Sequence, residues 1–179
     1  MFFSDDQIER DVLRQGDIIA QVHLLGTINL NNIQYSSAMN SKDYLGWAIS
    51  SPPKFGDAIV LSHSCEIDPE NRTKLTSIIL APLRDLNTAT SEDRVKELIN
   101  SNLIDRTKPQ ASFLKYFYLP PNPNLKYTEG SIADFSKCFS VRKQSYDLLV
   151  KNKIAQLYRD FVSSLALKLA LYFHRSGNN

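Results

Sequence analysis

The sequence predicts an α+β fold in which a small curled sheet, antiparallel or mixed, or a barrel carries C-terminal helices packed on it. Short apolar segments rich in β-branched and aromatic residues recur between turn-forming residues, and few helical segments separate the early ones. The C-terminal part instead repeats apolar residues at helical spacing. A doubly wound parallel fold is disfavoured, because the sequence contains no glycine-rich phosphate-binding loop.

The early elements are predicted from caps and composition. Ser4 and Gln7 match a capping box, which predicts a helix that begins there. An apolar run predicts a strand over 18–25, and the polar residues 26–40 are typical of a loop, long for a compact domain. A short strand is expected over 44–49.

The middle of the chain predicts two strands and a helix. Residues 75–81 are rich in β-favouring residues, and Pro82 is expected to end that strand. Thr90 with Asp93 forms a second capping box and predicts a helix. Residues 113–119 are apolar and aromatic, and they predict a further strand before a proline-rich loop.

The C-terminal part predicts one strand and two helices. Residues 131–141 alternate in part, which favours a last strand. A helix is expected over 145–150, and Asn152 can cap a long helix over 153–175 with one apolar stripe. Around 165–173 the apolar residues cover most of the circumference, so this helix end must be buried on several sides or meet a partner.

A buried strand over residues 58–61 is the central prediction, because a short apolar run after a turn glycine is typical of a strand covered on both faces. Reactive or polar residues follow it at Ser62, His63, Ser64, Cys65, Glu66 and Asp68. Since side chains alternate along a strand, His63 and Cys65 are expected on one face. Pro69 cannot donate a hydrogen bond, so strand pairing should stop near Asp68.

Three interpretations of this cluster stay open. Cys65 can be a nucleophile with His63 as its base and Glu66 or Asp68 as a further acid or base. Alternatively, His63, Cys65 and a distant residue such as Cys138 bind zinc, although the sequence has no CxxC or HxxxH spacing. In the third interpretation Cys65 is a small buried apolar residue.

The favoured functional hypothesis is a non-catalytic binding or regulatory domain with one polar pocket around Cys65. The predicted binding residues are Asp17, Ser62, Ser64, Cys65 and Glu66. A hydrolase, a toxin-like ribonuclease that uses Cys65 or His63 with Glu66 or Asp68, is the alternative. No metal site and no cofactor are predicted.

Length and composition bound the class of protein. The 179 residues, with 42% apolar and 22% charged residues, indicate one globular domain over 1–179, with the sheet over about 15–141 and helices over about 142–176. Two cysteines form no disulfide framework, so the cytoplasm is the expected compartment. The N-terminus does not resemble a signal peptide, and no apolar run is long enough to span a membrane, so no membrane partner is expected.

Charge is distributed unevenly along the chain. Residues 137–175 carry a net charge of +6, which leaves −4 for the rest. Such a basic segment can contact phosphates, which makes nucleic acid a candidate partner, although a solvated helix face explains the charge as well. The apolar end of the last helix makes a homodimer or a protein partner the other candidate.

Two motifs carry a resemblance to known proteins. Gln15-Gly16-Asp17-Ile18, followed by Val60-Leu61-Ser62-His63-Ser64-Cys65-Glu66-Ile67, resembles an uncharacterised group of bacterial proteins with a QGDI … VLSxxCD(I/L) pattern; glutamate stands here in place of the usual aspartate. The C-terminal segment is similar to the same group's last helix. The resemblance implies no activity. QGDI and the expected barrel are also similar to the PemK/MazF-like toxins, small barrels that cut RNA, but only as a fold analogy, because none of the toxins' catalytic residues can be placed here.

Overall fold

The structure, a computed structural model, describes residue 3 and residues 9–24, 54–71, 73–89, 92–100 and 114–176. The chain divides into two compact units, Met1–Val22 with Gly56–Asn179 and His23–Phe55. The fold described below is that of the first unit. The predicted loop over 26–40 and strand over 44–49 lie outside the described residues.

Within the described residues, seven strands form one curled, half-barrel sheet in the order β4-β5-β3-β2-β1-β7, with β6 paired to β3. The strands are β1 Asp17–Leu24, β2 Lys54–Val60, β3 Ser77–Asp85, β4 Tyr116–Leu119, β5 Ser131–Asp134, β6 Phe139–Arg142 and β7 Lys153–Gln156. Every pairing whose register is resolved is antiparallel. The predicted α+β class with a curled sheet is confirmed.

Helices cover both faces of this sheet. They are α1 Ser64–Ile67, α2 Leu86–Ala89, α3 Glu92–Asn100, α4 Tyr146–Lys151 and α5 Arg159–Ser176. The C-terminal helix α5 packs its apolar residues, among them Phe161, Val162 and Leu169, against the core on one face. Tyr146 and Leu149 of α4 and Ile67 of α1 belong to the core on the opposite face. None of the described helices is both long and apolar enough to cross a membrane.

The central strand β2 is buried on both faces, as the sequence predicts. Ile59 and Leu61 contribute to the core beneath α5, whereas Ala58 and Val60 contribute to the core beneath α4. Ala58, Ile59 and Val60 are all 0% exposed. Apolar residues at every position of 58–61 are therefore required by two separate cores, which explains why this run does not alternate with polar residues.

Pro82 does not end β3, contrary to the prediction. The strand continues to Asp85, and Pro82 lies opposite Ala58 of β2. The carbonyl oxygen of Ile79 accepts hydrogen bonds from the N–H groups of Leu61 and Ser62, which follow β2. Backbone groups of successive residues in a strand point to alternate edges, so those of Pro82, three residues later, point away from β2. On that edge, pairing to β6 ends at Leu80 and pairing to β5 begins at Leu83. Pro82 is tolerated because its missing N–H falls in the gap between two partner strands.

The single strand predicted over 131–141 is two strands. A short 3₁₀ turn, Phe135–Lys137, separates β5 from β6. The side chain of Asp134 accepts a hydrogen bond from the backbone N–H of Ser136 and so caps this turn. Phe135 points into the core. The alternation of apolar and polar residues is interrupted at this turn. Before the turn, β5 pairs with residues 83–85 of β3, and after it β6 pairs with residues 77–80.

The long helix predicted over 153–175 begins later. Residues Lys153–Gln156 form β7, which pairs antiparallel with β1, and α5 begins at Arg159. Asn152 is the C-cap of α4 rather than an N-cap of the last helix. The sheet therefore extends beyond residue 141, and β7 supplies the strand that brings Lys153 beside β1.

The N-terminal helix predicted from Ser4 is not continued by the described residues. Residues 9–16 form turns, and the start of the predicted helix lies outside the described part of the chain. Leu13 is fully buried, and its N–H donates to the hydroxyl oxygen of Tyr146 in α4 at 3.0 Å. Gly16 has a φ of +87°, a conformation that favours glycine, and it turns the chain into β1.

Candidate functional site

The polar residues that follow β2 form a helical turn, not the continuation of a strand. β2 ends at Val60, and α1 begins at Ser64 with His63 as its N-cap. The Nδ1 atom of His63 accepts a hydrogen bond from the backbone N–H of Cys65 at 3.3 Å. Ile67, which is 0% exposed, anchors the turn in the core. Asp68 ends the helix in an extended conformation, as expected before Pro69.

This helical turn brings two reactive side chains into direct contact. The Sγ atom of Cys65 lies 2.9 Å from Nδ1 of His63. On a strand these side chains would point in parallel directions, so the contact depends on the turn. In the tautomer that carries its proton on Nε2, Nδ1 of His63 is the acceptor in both contacts with Cys65. The Cys65 thiol can therefore donate its proton to His63.

Cys65 is exposed, which makes the interpretation as a buried apolar residue wrong. It opens onto a pocket of about 430 Å³, hereafter the thiol pocket. The polar part of its lining comprises Ser62, Cys65, Glu66, Asn71, Lys74, Thr76 and Ser77. A pocket of this volume is within the range that accommodates small ligands.

Two hydrogen bonds fix the walls of the thiol pocket. The hydroxyl oxygen of Ser62, a buried residue, accepts from the backbone N–H of Ile79 in β3 at 2.9 Å. The side-chain amide of Asn71 donates to the carbonyl oxygen of Cys65 at 2.7 Å. The backbone of Cys65 is thus held by Asn71 at its carbonyl oxygen and by His63 at its N–H, so the thiol projects from a positioned segment rather than from a free loop.

The QGDI motif at residues 15–18 and the residues that follow β2 meet in space. The side-chain amide of Gln15 donates to the carbonyl oxygen of Leu61 at 2.7 Å, and its backbone N–H donates to Oγ of Ser64 at 3.1 Å. The N–H of Gly16 donates to the carbonyl oxygen of Val60 at 2.9 Å. Gln15 and Gly16 therefore bind the chain where β2 ends and α1 begins.

Gly16 is also required by close packing. A Cβ atom at this position would lie 3.1 Å from a methyl group of Val162 and 3.2 Å from the side chain of Leu157. The carbonyl oxygen of Gly16 accepts a hydrogen bond from the N–H of Leu157 at 3.3 Å. Both the positive φ and the close contact with α5 favour glycine here.

A second pocket, of about 450 Å³, lies on the Ser64 side of α1 and is hereafter the arginine pocket. Arg14 and Gln15 line it together with Ser64. Arg14 forms ion pairs with Glu9, 3.1 Å from Nε, and with Asp68, 2.8 Å from Nη1. The pKa of Asp68 is held below its usual value, first by a hydrogen bond from the backbone N–H of Glu70 and second by the hydrogen bond from Arg14. The hydrogen bond to Asp68 in turn raises the pKa of Arg14.

Asp17 is fully buried and pairs with Lys153 of β7. Its Oδ2 atom lies 2.7 Å from the Lys153 ammonium and accepts from the backbone N–H of Arg14 at 2.6 Å. The ammonium also donates to the carbonyl oxygens of Glu9 and Val12. Within the described part of the chain, Oδ1 of Asp17 has no hydrogen-bond partner. Burial raises the pKa of Asp17 to about 6, and the charge of Lys153 opposes that rise.

The five residues predicted to line one pocket therefore occupy three places. Ser62, Cys65 and Glu66 line the thiol pocket, and Ser64 lines the arginine pocket. Asp17 lies in the interior, where it secures residues 9–14 rather than facing a ligand.

The proposed zinc ligand Cys138 has a structural contact instead. It packs against the core, and its thiol donates to the carbonyl oxygen of Phe135 at 3.0 Å. Burial raises the pKa of this thiol to about 11. Among the described residues, no group of three or more His, Cys, Asp or Glu side chains is placed to hold a metal ion.

Sequence reasoning missed the contact between His63 and Cys65 because it extended β2 through both. A signal was present, since Glu66 follows His63 at the spacing of a capping box, although histidine is not a preferred N-cap. It also missed the roles of Arg14 and Lys153, whose partners are distant in sequence. The chain matches no protein-family model, and no curated protein is significantly similar to it.

Proposed function

We propose that the protein is a bacterial, cytoplasmic binding or regulatory domain whose thiol pocket takes a small polar ligand. The observation that carries this proposal is the pocket itself, a cavity of about 430 Å³ lined by Ser62, Cys65 and Glu66. Glu66 and Lys74 give it one charge of each sign, and hydroxyl groups supply further donors and acceptors. This lining suits a ligand that is polar but carries little net charge.

Titration of the ¹⁵N-labelled protein with a library of polar fragments tests the binding proposal. We expect chemical-shift changes at Cys65, Glu66 and Lys74 for the fragments that bind. Glu66→Gln is expected to weaken binding of a cationic fragment, and Lys74→Ala binding of an anionic fragment, by about tenfold each, since an interaction with a charged group contributes about 1.5 kcal/mol. Lys137→Ala, at an exposed position outside the pocket lining, is the control. Binders that shift only signals elsewhere would contradict the proposal.

A hydrolase that uses Cys65 is the second candidate, and the 2.9 Å contact between Sγ and His63 Nδ1 favours it. A thiolate is the reactive form of cysteine, and an adjacent imidazole can generate it. Glu66 lines the same pocket, whereas Asp68 is bound to Arg14 and so is not free to act as an acid or base there.

The rate of alkylation of Cys65 by iodoacetamide tests this second candidate. We expect His63→Asn to lower that rate at least tenfold at pH 7, because asparagine retains an N-cap acceptor but cannot take the thiol proton. Mass spectrometry of the two cysteine peptides measures the rate, and Cys138 serves as an internal control. Equal rates in both proteins would contradict activation of the thiol by His63.

The predicted partners stay predictions. The basic segment over 137–175 is less exposed than its sequence suggests, because Lys153 and Lys168 are buried. Exposed positive charges remain on it, which supports contact with a nucleic acid. Phe173, 51% exposed at the end of α5, supports a protein partner or a second copy of this chain.

A further inference from the structure

We infer that the pair formed by Cys65 and His63 acts on acyl groups, and that its substrate class is a carboxylic ester or thioester rather than a phosphodiester. This inference rests on the second of the two functions proposed above and names its substrate class. It combines the contact between the thiol and the imidazole, the open thiol pocket beside them, and the charge of that pocket.

The geometry meets the first requirement of covalent catalysis by cysteine. The nucleophile and its base must lie within hydrogen-bond reach, and Sγ lies 2.9 Å from Nδ1. The nucleophile must also be accessible, and Cys65 is exposed at the pocket. Its backbone is fixed by Asn71, so the thiol is presented from a defined position.

The charge of the thiol pocket distinguishes acyl from phosphoryl substrates. A phosphodiester carries a negative charge that increases on the phosphoryl oxygens during attack, and enzymes stabilise it with several cations. The pocket lining contains one cation, Lys74, and one carboxylate, Glu66. A neutral carbonyl group needs only hydrogen-bond donors for its developing oxyanion, and Ser62, Thr76 and Ser77, whose side chains carry hydroxyl donors, are among the residues that line this pocket.

The reaction balances without a metal or an oxidant. The Cys65 thiol transfers its proton to Nδ1 of His63, and Sγ forms a bond to the acyl carbon. The bond between that carbon and the leaving oxygen or sulfur breaks, and the leaving group takes the proton from Nδ1. Water then attacks the acyl-cysteine while Nδ1 accepts its proton. The bond from Sγ to carbon breaks, the carboxylic acid departs, and Nδ1 returns its proton to Sγ, which restores the thiol.

Reaction with p-nitrophenyl acetate tests the inference. We expect rapid release of p-nitrophenolate with one acetyl group per chain on Cys65, followed by turnover. Intact-mass analysis and peptide mapping locate the acetyl group. His63→Asn is expected to slow turnover by 10²-fold or more, the usual contribution of a general base, while the melting temperature stays close to that of the wild type. Bis(p-nitrophenyl) phosphate supplies the phosphodiester arm, where no reaction is expected.

Matched variants make each outcome decisive. Cys65→Ser should abolish acetylation, whereas Cys138→Ala should leave it unchanged, because that thiol is hydrogen-bonded in the core. If alkylation of Cys65 depends on His63 but neither acetylation nor turnover does, the acyl substrate class is overturned and the activated thiol stands. If neither reaction depends on His63, both the inference and the hydrolase proposal fail. Faster cleavage of the phosphodiester also overturns the inference.

Discussion

Replacement of Lys153 by methionine is expected to lower the free energy of unfolding by about 3–5 kcal/mol at pH 7.5. The substitution removes one partner of a buried ion pair and leaves the carboxylate of Asp17, which is 0% exposed, without a counterion. The carbonyl oxygens of Glu9 and Val12 lose their donor as well. Urea denaturation of the wild type and of Lys153→Met measures the difference.

The loss of stability in Lys153→Met should increase as pH rises. Burial raises the pKa of Asp17 to about 6, above its value in the unfolded chain, so the folded state binds a proton that the unfolded state has released. The stability that this group contributes is therefore lost as pH rises towards 6. Removal of the Lys153 ammonium raises the pKa further, so the loss continues above pH 6 in the variant. We expect the difference between the two proteins to be smallest near pH 5.

Two comparisons identify the ion pair as the cause. Lys151→Met removes an exposed lysine two positions away and should change stability by less than about 0.5 kcal/mol. Asp17→Asn with Lys153→Met should be more stable than Lys153→Met alone at pH 7.5, because no unpaired carboxylate remains. If the wild type and Lys153→Met differ in stability by the same amount at pH 5 and pH 8, and the double variant is no more stable than Lys153→Met, then Lys153 acts by packing alone.

The buried strand could be predicted from the sequence because its physical requirement is local. Residues 58–61 are apolar at every position, and only a strand with a core on each face needs that pattern. The start of α5 could not be predicted in the same way. Ile154 and Ala155 fit the helical stripe by spacing, but Ala155 pairs with Ile18, and a contact between residues so far apart leaves no local signal.

The sequence predicted the cluster of polar residues after β2 with the wrong local geometry, a strand where the structure has a helical turn. Polar residues after an apolar run indicate where chemistry can be placed, and Cys65 and Glu66 do line a pocket. Whether the chain continues as a strand or turns at His63 decides which side chains touch. The turn is stabilised by Gln15, which binds Leu61 and Ser64 from 46 and 49 residues away, and such a partner is visible only in the folded chain.

Replacement of Lys168 by methionine is expected to stabilise the protein at neutral pH, by an amount on the order of 2–4 kcal/mol. Lys168 is 1% exposed in α5, and burial lowers its pKa to about 7 from an ordinary value of 10.5. A tenfold change in proton affinity corresponds to about 1.4 kcal/mol, and the contacts that the lysine makes offset part of the total. Methionine retains a similar length of apolar side chain without the cost of burying a charge.

The stabilisation should decrease as pH rises, and this sign distinguishes charge from packing. Between pH 7 and 10.5 the unfolded chain retains the Lys168 proton whereas the folded chain has released it, so the stability of the wild type increases with pH in that range. The variant lacks this dependence, and its advantage should therefore shrink by about 2 kcal/mol between pH 7 and pH 9. Lys137→Met, at an exposed position, should show no such change. A stabilisation that is equal at both pH values would indicate better packing, and a destabilisation at pH 7 would show that the contacts of Lys168 outweigh the cost of its burial.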